Sequence, residues 1–204
     1  MENINLTGHF LIAMPALEDP FFAKSVTYIC AHNEDGAMGV VINRPSDYLL
    51  KNLFKQMQLN IEHTDNAMIR QHIHVGGPVQ PERGFVLHQI SKDDGTENLG
   101  LMQEWDSTIL INNDTALTTS KDILEAVANG TGPKKMLLAL GYAGWNPGQL
   151  EAEIAKNAWL SVQAESVTAQ AALLYDLPST EKMNAALALL GLDFAKLSEW
   201  VGHA

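Results

Sequence analysis

Two apolar runs, SVTYICA at 25–31 and GVVIN at 39–43, flank the turn sequence NEDGA at 33–37. Alternating β-branched and aromatic residues on either side of an Asp-Gly step describe a β-hairpin. That hairpin commits the first half of the chain to a sheet. Phe10–Met14 reads as a buried strand stopped by Pro15, and DPFF at 19–22 as a turn in which Pro20 presets φ. Pro45 ends the second hairpin strand. Short strands follow at His72–Val75, Gly84–Leu87 and Ile109–Asn112. Met136–Leu140 (MLLAL) is a continuous apolar run of strand length, as expected of a central strand.

The second half turns helical. Leu49, Leu50, Leu53, Phe54 and Met57 already mark a short helix over 49–57. Thr119 is placed to cap a helix from Ser120, with Ile123, Leu124 and Val127 as its apolar face and Asn129-Gly130 as its end. An apolar run covers Ala171–Tyr175. A last helix is expected over 180–190, capped by Ser179 and closed by Gly191. SKDDGTENLG at 91–100 reads as an exposed loop or hairpin.

The segment LGYAGWNPGQLEAEI, 140–154, raises the functional question. Asn146 suits an N-cap, Pro147 the first helical position and Gln149 a capping-box partner, while Leu150, Ile154 and Ala158 repeat at helical spacing. A turn into a helix therefore explains the end of the segment. It leaves Gly141, Tyr142, Gly144 and Trp145 open to two readings, a glycine cradle for a ligand or a sharp turn packed on the core. The Gly-Lys-Ser/Thr of a P-loop is missing, and Glu151 and Glu153 put negative charge near the helix start, which suits a neutral or cationic ligand better than an anion.

Composition excludes several classes. The chain has 204 residues, room for one large domain or two small ones, and no 18-residue apolar stretch. No Lys or Arg precedes Lys24, so the start lacks the basic region of a signal peptide. Cys30 is the single cysteine, which suits a reducing compartment, and the expected location is the cytoplasm. A net charge of −11 with scattered basic residues opposes nucleic acid and anionic membranes.

Several long stretches carry a family resemblance: GHFLIAMPALEDPFFAKSVTYICAHNEDGAMGVVINRP, VGGPVQPERGFVLH, LTTSKDILEAVANGTGPKKMLLALGYAGWNPGQLEAEIAKNAWL and the terminal VGHA. In order and spacing the chain resembles the YqgE/AlgH family of uncharacterised bacterial proteins over nearly its whole length. The resemblance implies an α+β fold with a bifurcated, barrel-like, mostly antiparallel sheet flanked by helices, in a single domain over 1–204. One branch of the family takes its name from an association with regulation of alginate synthesis. The resemblance carries over no substrate, cofactor or catalytic residue.

Other candidates each have a plain structural reading. There are seven histidines: His9, His32, His63, His72, His74, His88 and His203. His72 and His74 share a strand face and would begin a metal site given a third ligand such as His88 or His32, yet no neighbouring carboxylate or second cysteine completes it. Cys30 and His32 also share a face, as a thiol–imidazole pair would, but a cysteine between Ile29 and Ala31 is more often inert core. Arg44, at the end of an apolar strand, is placed to clamp a carboxylate or to pair with Glu18, Asp19 or Asp35, and Arg83 invites the same comparison. Ser25 lies in no nucleophile elbow. Gly76-Gly77-Pro78 is a glycine-rich strand end where sites gather.

The expectation is an accessory or regulatory protein that binds a protein partner or small molecule. Its ligand surface would be formed by Arg44, Gly76, Gly77, Gly141, Tyr142, Gly144 and Trp145, with no cofactor or metal implied. Two alternatives stay open: an enzyme using Cys30/His32 or His72/His74, and a nucleic-acid-binding regulator, which the charge disfavours.

Overall fold

The computed structural model describes residues 5–61, 66–90 and 105–192. The loop expected at 91–100, His63, His203 and the terminal VGHA lie outside the described residues. The hairpin forms between β2 (Val26–Asn33) and β3 (Gly36–Val41), with Gly36 at φ +124° and the Asp35 N–H held by Asn33 Oδ1 at 2.9 Å. A register shift between Ile29 and Ala31 puts a bulge at Cys30. β1 (Phe10–Ala13) lies antiparallel to β2, and β10 (Trp159–Val162) covers its other edge.

The sheet is organised by β9, which runs over Met136–Trp145. On one edge it pairs with β6 (Val79–Gln89), from His88↔Met136 to Gly84↔Leu140 and again at Val79↔Tyr142. On the other edge two different strands share it. β5 (His72–Val75) runs parallel beside Ala139 and Leu140, and β3 runs antiparallel beside Ala143, Gly144 and Trp145. This sharing is the bifurcation, with β4 (Pro45–Leu49) continuing one branch beyond β5. β8 (Thr115–Thr118) and β7 (Thr108–Leu110) extend the sheet past β6. The ten strands among the described residues form one sheet, antiparallel except at β5·β9. The architecture is the curled antiparallel α+β fold that the resemblance implies.

Helices cover the sheet where it is apolar. α1 (Leu50–Gln56), α2 (Asn66–Ile69) and α3 (Asp122–Ala128) close a core of Leu50, Phe54, Ile73, Val86, Ile123 and Leu138. α4 (Gln149–Ala155) caps a second core around Trp145 and Trp159. α5 (Val167–Ala171), a π-helix at Ala172–Asp176 and α6 (Ser179–Ala188) complete the C-terminal part, and Leu173, Leu174, Ala186 and Leu187 enter the largest core with Phe10, Tyr28 and Leu137.

Four local expectations are corrected. The strand at 136 does not stop at Leu140 but continues through the glycines to Trp145. The helix after it is capped at Gly148, in the left-handed region at φ +73°, instead of at Asn146; Gln149 Oε1 still accepts the Asn146 N–H at 3.0 Å, as its capping-box position predicts. That helix ends by Asn157, at φ +57°, and the chain returns as β10. Lys121, not Thr119, is the N-cap of α3.

Candidate functional site

The glycines singled out in the sequence meet one another, through close backbone packing. A Cβ on Gly77 would lie 2.0 Å from the Tyr142 carbonyl carbon, and one on Gly76 would lie 2.3 Å from the Gly141 oxygen. Gly141, at φ +73°, has no room either, since a Cβ would sit 2.4 Å from the Gly77 oxygen. Only glycine allows these two chain segments to cross so closely. The Gly76 N–H donates to Leu140 O at 2.8 Å, and the Gly76 carbonyl accepts from Val41 N–H at 2.9 Å. Tyr142 turns its ring against Phe85, with centroids 5.3 Å apart.

Gly144 and Trp145 face the other branch, opposite Met38 and Ala37. Trp145 is buried among Phe22 and Trp159, at centroid distances of 6.3 and 5.9 Å. Its indole N–H donates to Glu153 Oε2 at 2.9 Å, and the same oxygen accepts the Trp159 indole N–H at 2.8 Å. Gln149 Nε2 donates to the other carboxylate oxygen at 2.9 Å. Arg44 stands apart: it donates to the Pro20 and Ala23 carbonyls at 3.2 and 2.8 Å, tying down the turn at 19–23 instead of pairing with a carboxylate. Arg83 bonds Thr119 Oγ1 at 3.0 Å and lies 5.7 Å above the Phe85 ring.

Cys30 is buried in the largest core, and that burial pushes its thiol pKa upward, away from a thiolate. His32 reaches a different group of residues. Its Nδ1 accepts the Leu6 N–H at 3.0 Å, so Nε2 carries the proton it donates to Glu151 Oε1, also at 3.0 Å. His88 is bonded to Thr118 Oγ1 at 2.9 Å and packed edge-on against Trp105, and burial pushes its pKa down to about 4. Among the described residues no three His, Cys, Asp or Glu side chains gather as a metal site would need.

His72 and His74 face an open cleft of about 410 Å³ between β5, the first residues of β9, the π-helix and α6. That volume lies within the roughly 300–1,000 Å³ of ligand sites. Pro45, Met136, Leu137, Leu174 and Leu177 supply apolar wall, and Ser179, Thr180 and Lys182 supply polar groups. His72 donates from Nδ1 to Ser46 O at 2.7 Å. His74 Nε2 is hydrogen-bonded to Ser179 Oγ at 3.2 Å, whereas its Nδ1 is buried with no partner among the described residues. Burial, with Lys182 nearby, pushes the His74 pKa down to about 4.

Lys182 is the unusual member. It is only 3% exposed, and its Nζ donates to the Leu174 carbonyl at 2.8 Å. The local structure leaves that carbonyl open. The π-helix ends at Asp176 and Leu177 is extended, and the residue four after Leu174 is Pro178, which has no N–H to give. Burial pushes the Lys182 pKa down to about 8, opposed in part by Asp176, whose carboxylate is engaged by Lys135 at 2.6 Å. Ser179 does not cap α6 as expected. The N-cap is Pro178, without any side-chain bond, and Ser179 turns to His74. The cleft was missed as a site, although one signal was present: Lys182 places a charge on the same helical stripe as Ala186 and Leu190.

Fold and cleft together define a curled, bifurcated α+β sheet with a helix-lined cavity beside its central strand. The chain belongs to the AlgH-like family, which it matches over residues 10–195. It is 50% identical to a UPF0301 protein of Nitrosospira multiformis and 48% identical to one of Chromobacterium violaceum, in each case over the full length of both chains. It is similar to the solution structure of AlgH from Pseudomonas aeruginosa, at 43% identity and TM-score 0.72, covering 100% of this chain and 98% of that one. A protein from Corynebacterium diphtheriae shares the fold at 21% identity and TM-score 0.69, over 97% of this chain and 94% of that one.

Proposed function

We propose that this protein is an accessory or regulatory protein that works by holding a small ligand in the cleft between β5, the π-helix and α6. The observation that carries the reading is Lys182. An ammonium taken out of water and without an ion-pair partner among the described residues lowers stability. Such a group suits a site completed by something else. The π-helix supports the same reading, because one-turn π segments concentrate at functional positions. The seven residues expected to form a ligand surface are not the surface proposed: Gly76, Gly77 and Gly141 are engaged in close packing, and Trp145 in the Glu153 cluster.

Equilibrium dialysis of the purified chain against a bacterial small-molecule extract, read by mass spectrometry, tests the proposal. Enrichment of a compound by the wild type and its loss in Ser179→Trp, which fills the cleft, is the expected result. Enrichment unchanged by Ser179→Trp would move the site elsewhere.

A further inference from the structure

We infer that the ligand of this cleft is an anion with an apolar body, seated with its charge against Lys182 and the start of α6. The inference rests on the cleft reading and adds the charge and shape of the occupant. Lys182 offers three N–H donors, of which one goes to Leu174 O. It makes no ion pair among the described residues, and its carboxylate neighbour Asp176 is held outside the cleft by Lys135. At the start of α6 the N–H groups of Ser179 and Thr180 have no side-chain cap and both residues line the cleft, whereas the Glu181 N–H donates to Pro178 O at 2.9 Å and the Glu181 carboxylate, in the same first turn, is not among the lining residues. Buried ammonium and uncapped helix start therefore favour the same sign of charge at one place.

The titratable groups facing this point do not reverse that sign. From β5 come His72, whose Nδ1–H is committed to Ser46 O, and His74, held neutral by burial; from the π-helix comes Tyr175, whose pKa burial pushes up, so it too stays neutral. Among the described residues no Asp or Glu lines the cleft. The rest of the wall is mostly apolar, from Pro45, Met136, Leu137, Leu174 and Leu177, and accepts a hydrocarbon portion, with Gln71 and Tyr175 as its polar residues. The head is a carboxylate or a phosphate, since both accept several N–H donors.

Isotope-labelled full-length protein is titrated with hexanoate, hexanamide, hexylammonium and inorganic phosphate while the amides of Ser179 and Thr180 are followed by NMR. Hexanoate is expected to bind about tenfold or more tightly than hexanamide, with the difference lost in Lys182→Met, whose apolar side chain suits the buried position. Affinity for hexanoate should also fall as pH rises through about 8, where Lys182 gives up its proton. Phosphate binding with the same dependence on Lys182, without hexanoate binding, would support the anion and assign a phosphate head. Equal binding of hexanoate and hexanamide, or preference for hexylammonium, overturns the inference and leaves the cleft as a binding site. If none of the four probes moves a cleft amide, inference and cleft reading fall together.

Discussion

The two ends of β9 belong to one strand and have opposite characters. At Trp145 the polar groups meet one another: one carboxylate, on Glu153, accepts from two indoles and an amide, and three aromatic rings pack around it. At Met136 the strand borders a cleft where, among the described residues, a lysine is buried without an ion pair and a histidine nitrogen is buried without a hydrogen-bond partner. The sequence advertises the first end with glycines and aromatics, and the second with almost nothing. Conspicuous residues here mark difficult packing, and the candidate chemistry lies where a single charge interrupts an apolar helix face.

The sharpest way to break this contrast is to disturb the crossing between the ends. Gly77→Ala drives a Cβ into the Tyr142 backbone, which cannot yield as a side chain would. A loss of about 4 kcal/mol or more is expected in urea unfolding. A stable Gly77→Ala protein would mean that the crossing is loose enough to be a cradle. Glu153→Ala comes next, since it leaves two buried indole N–H groups without an acceptor. About 3 kcal/mol should be lost, seen as a melting temperature lower by roughly 6–12 °C, with ligand binding in the cleft unchanged.

Acid should act through the buried histidines. The folded state holds His74 and His88 down to about 4, whereas the unfolded chain titrates near the ordinary value of 6.5. Unfolded protein therefore binds more protons in this window, and stability falls as pH drops from about 6.5 to 4, by up to about 3 kcal/mol for His88 and less for the partly exposed His74. Denaturation midpoints for His88→Gln should be flatter than wild type across that range. Parallel curves would refute the assignment.

The smallest effect has the opposite sign. Lys182→Met removes a buried charge at the cost of one hydrogen bond, so stability at pH 7 should rise by about 1 kcal/mol. In the wild type, the unfolded chain holds this proton more tightly than the folded one, so stability should climb between about pH 8 and 10.5. The variant should lose that climb. A destabilised Lys182→Met protein would turn Lys182 into a helix cap and remove the cleft's distinction from the Trp145 end.

Much of the fold is legible in the residues because it rests on local signals. His72–Val75 appears as the strand that four alternating residues predict, Gly36 turns the hairpin, and Gly130 and Gly191 end their helices in the left-handed region. Where non-local partners decide, the reading falters. Thr115–Thr118 is an unremarkable stretch that becomes a strand because β6 and β7 flank it. Gly141 and Gly144 look like a turn and are strand because β3 and Val79 pair across them. Of the site, His72 and His74 were visible, but Lys182 and Ser179 lie more than a hundred residues further on and only α6 packing brings them near.

The placement of β9 also bears on how the chain is made. Its three neighbours, β3, β5 and β6, are all encoded ahead of it, between residues 36 and 89. During synthesis each leaves the ribosome with an edge open, and none of those edges can close until the part of β9 that pairs with it, between residues 136 and 145, has emerged. For much of its translation the nascent polypeptide is a set of unjoined strand pairs, and the branches of the sheet are joined in a late step by one ten-residue segment.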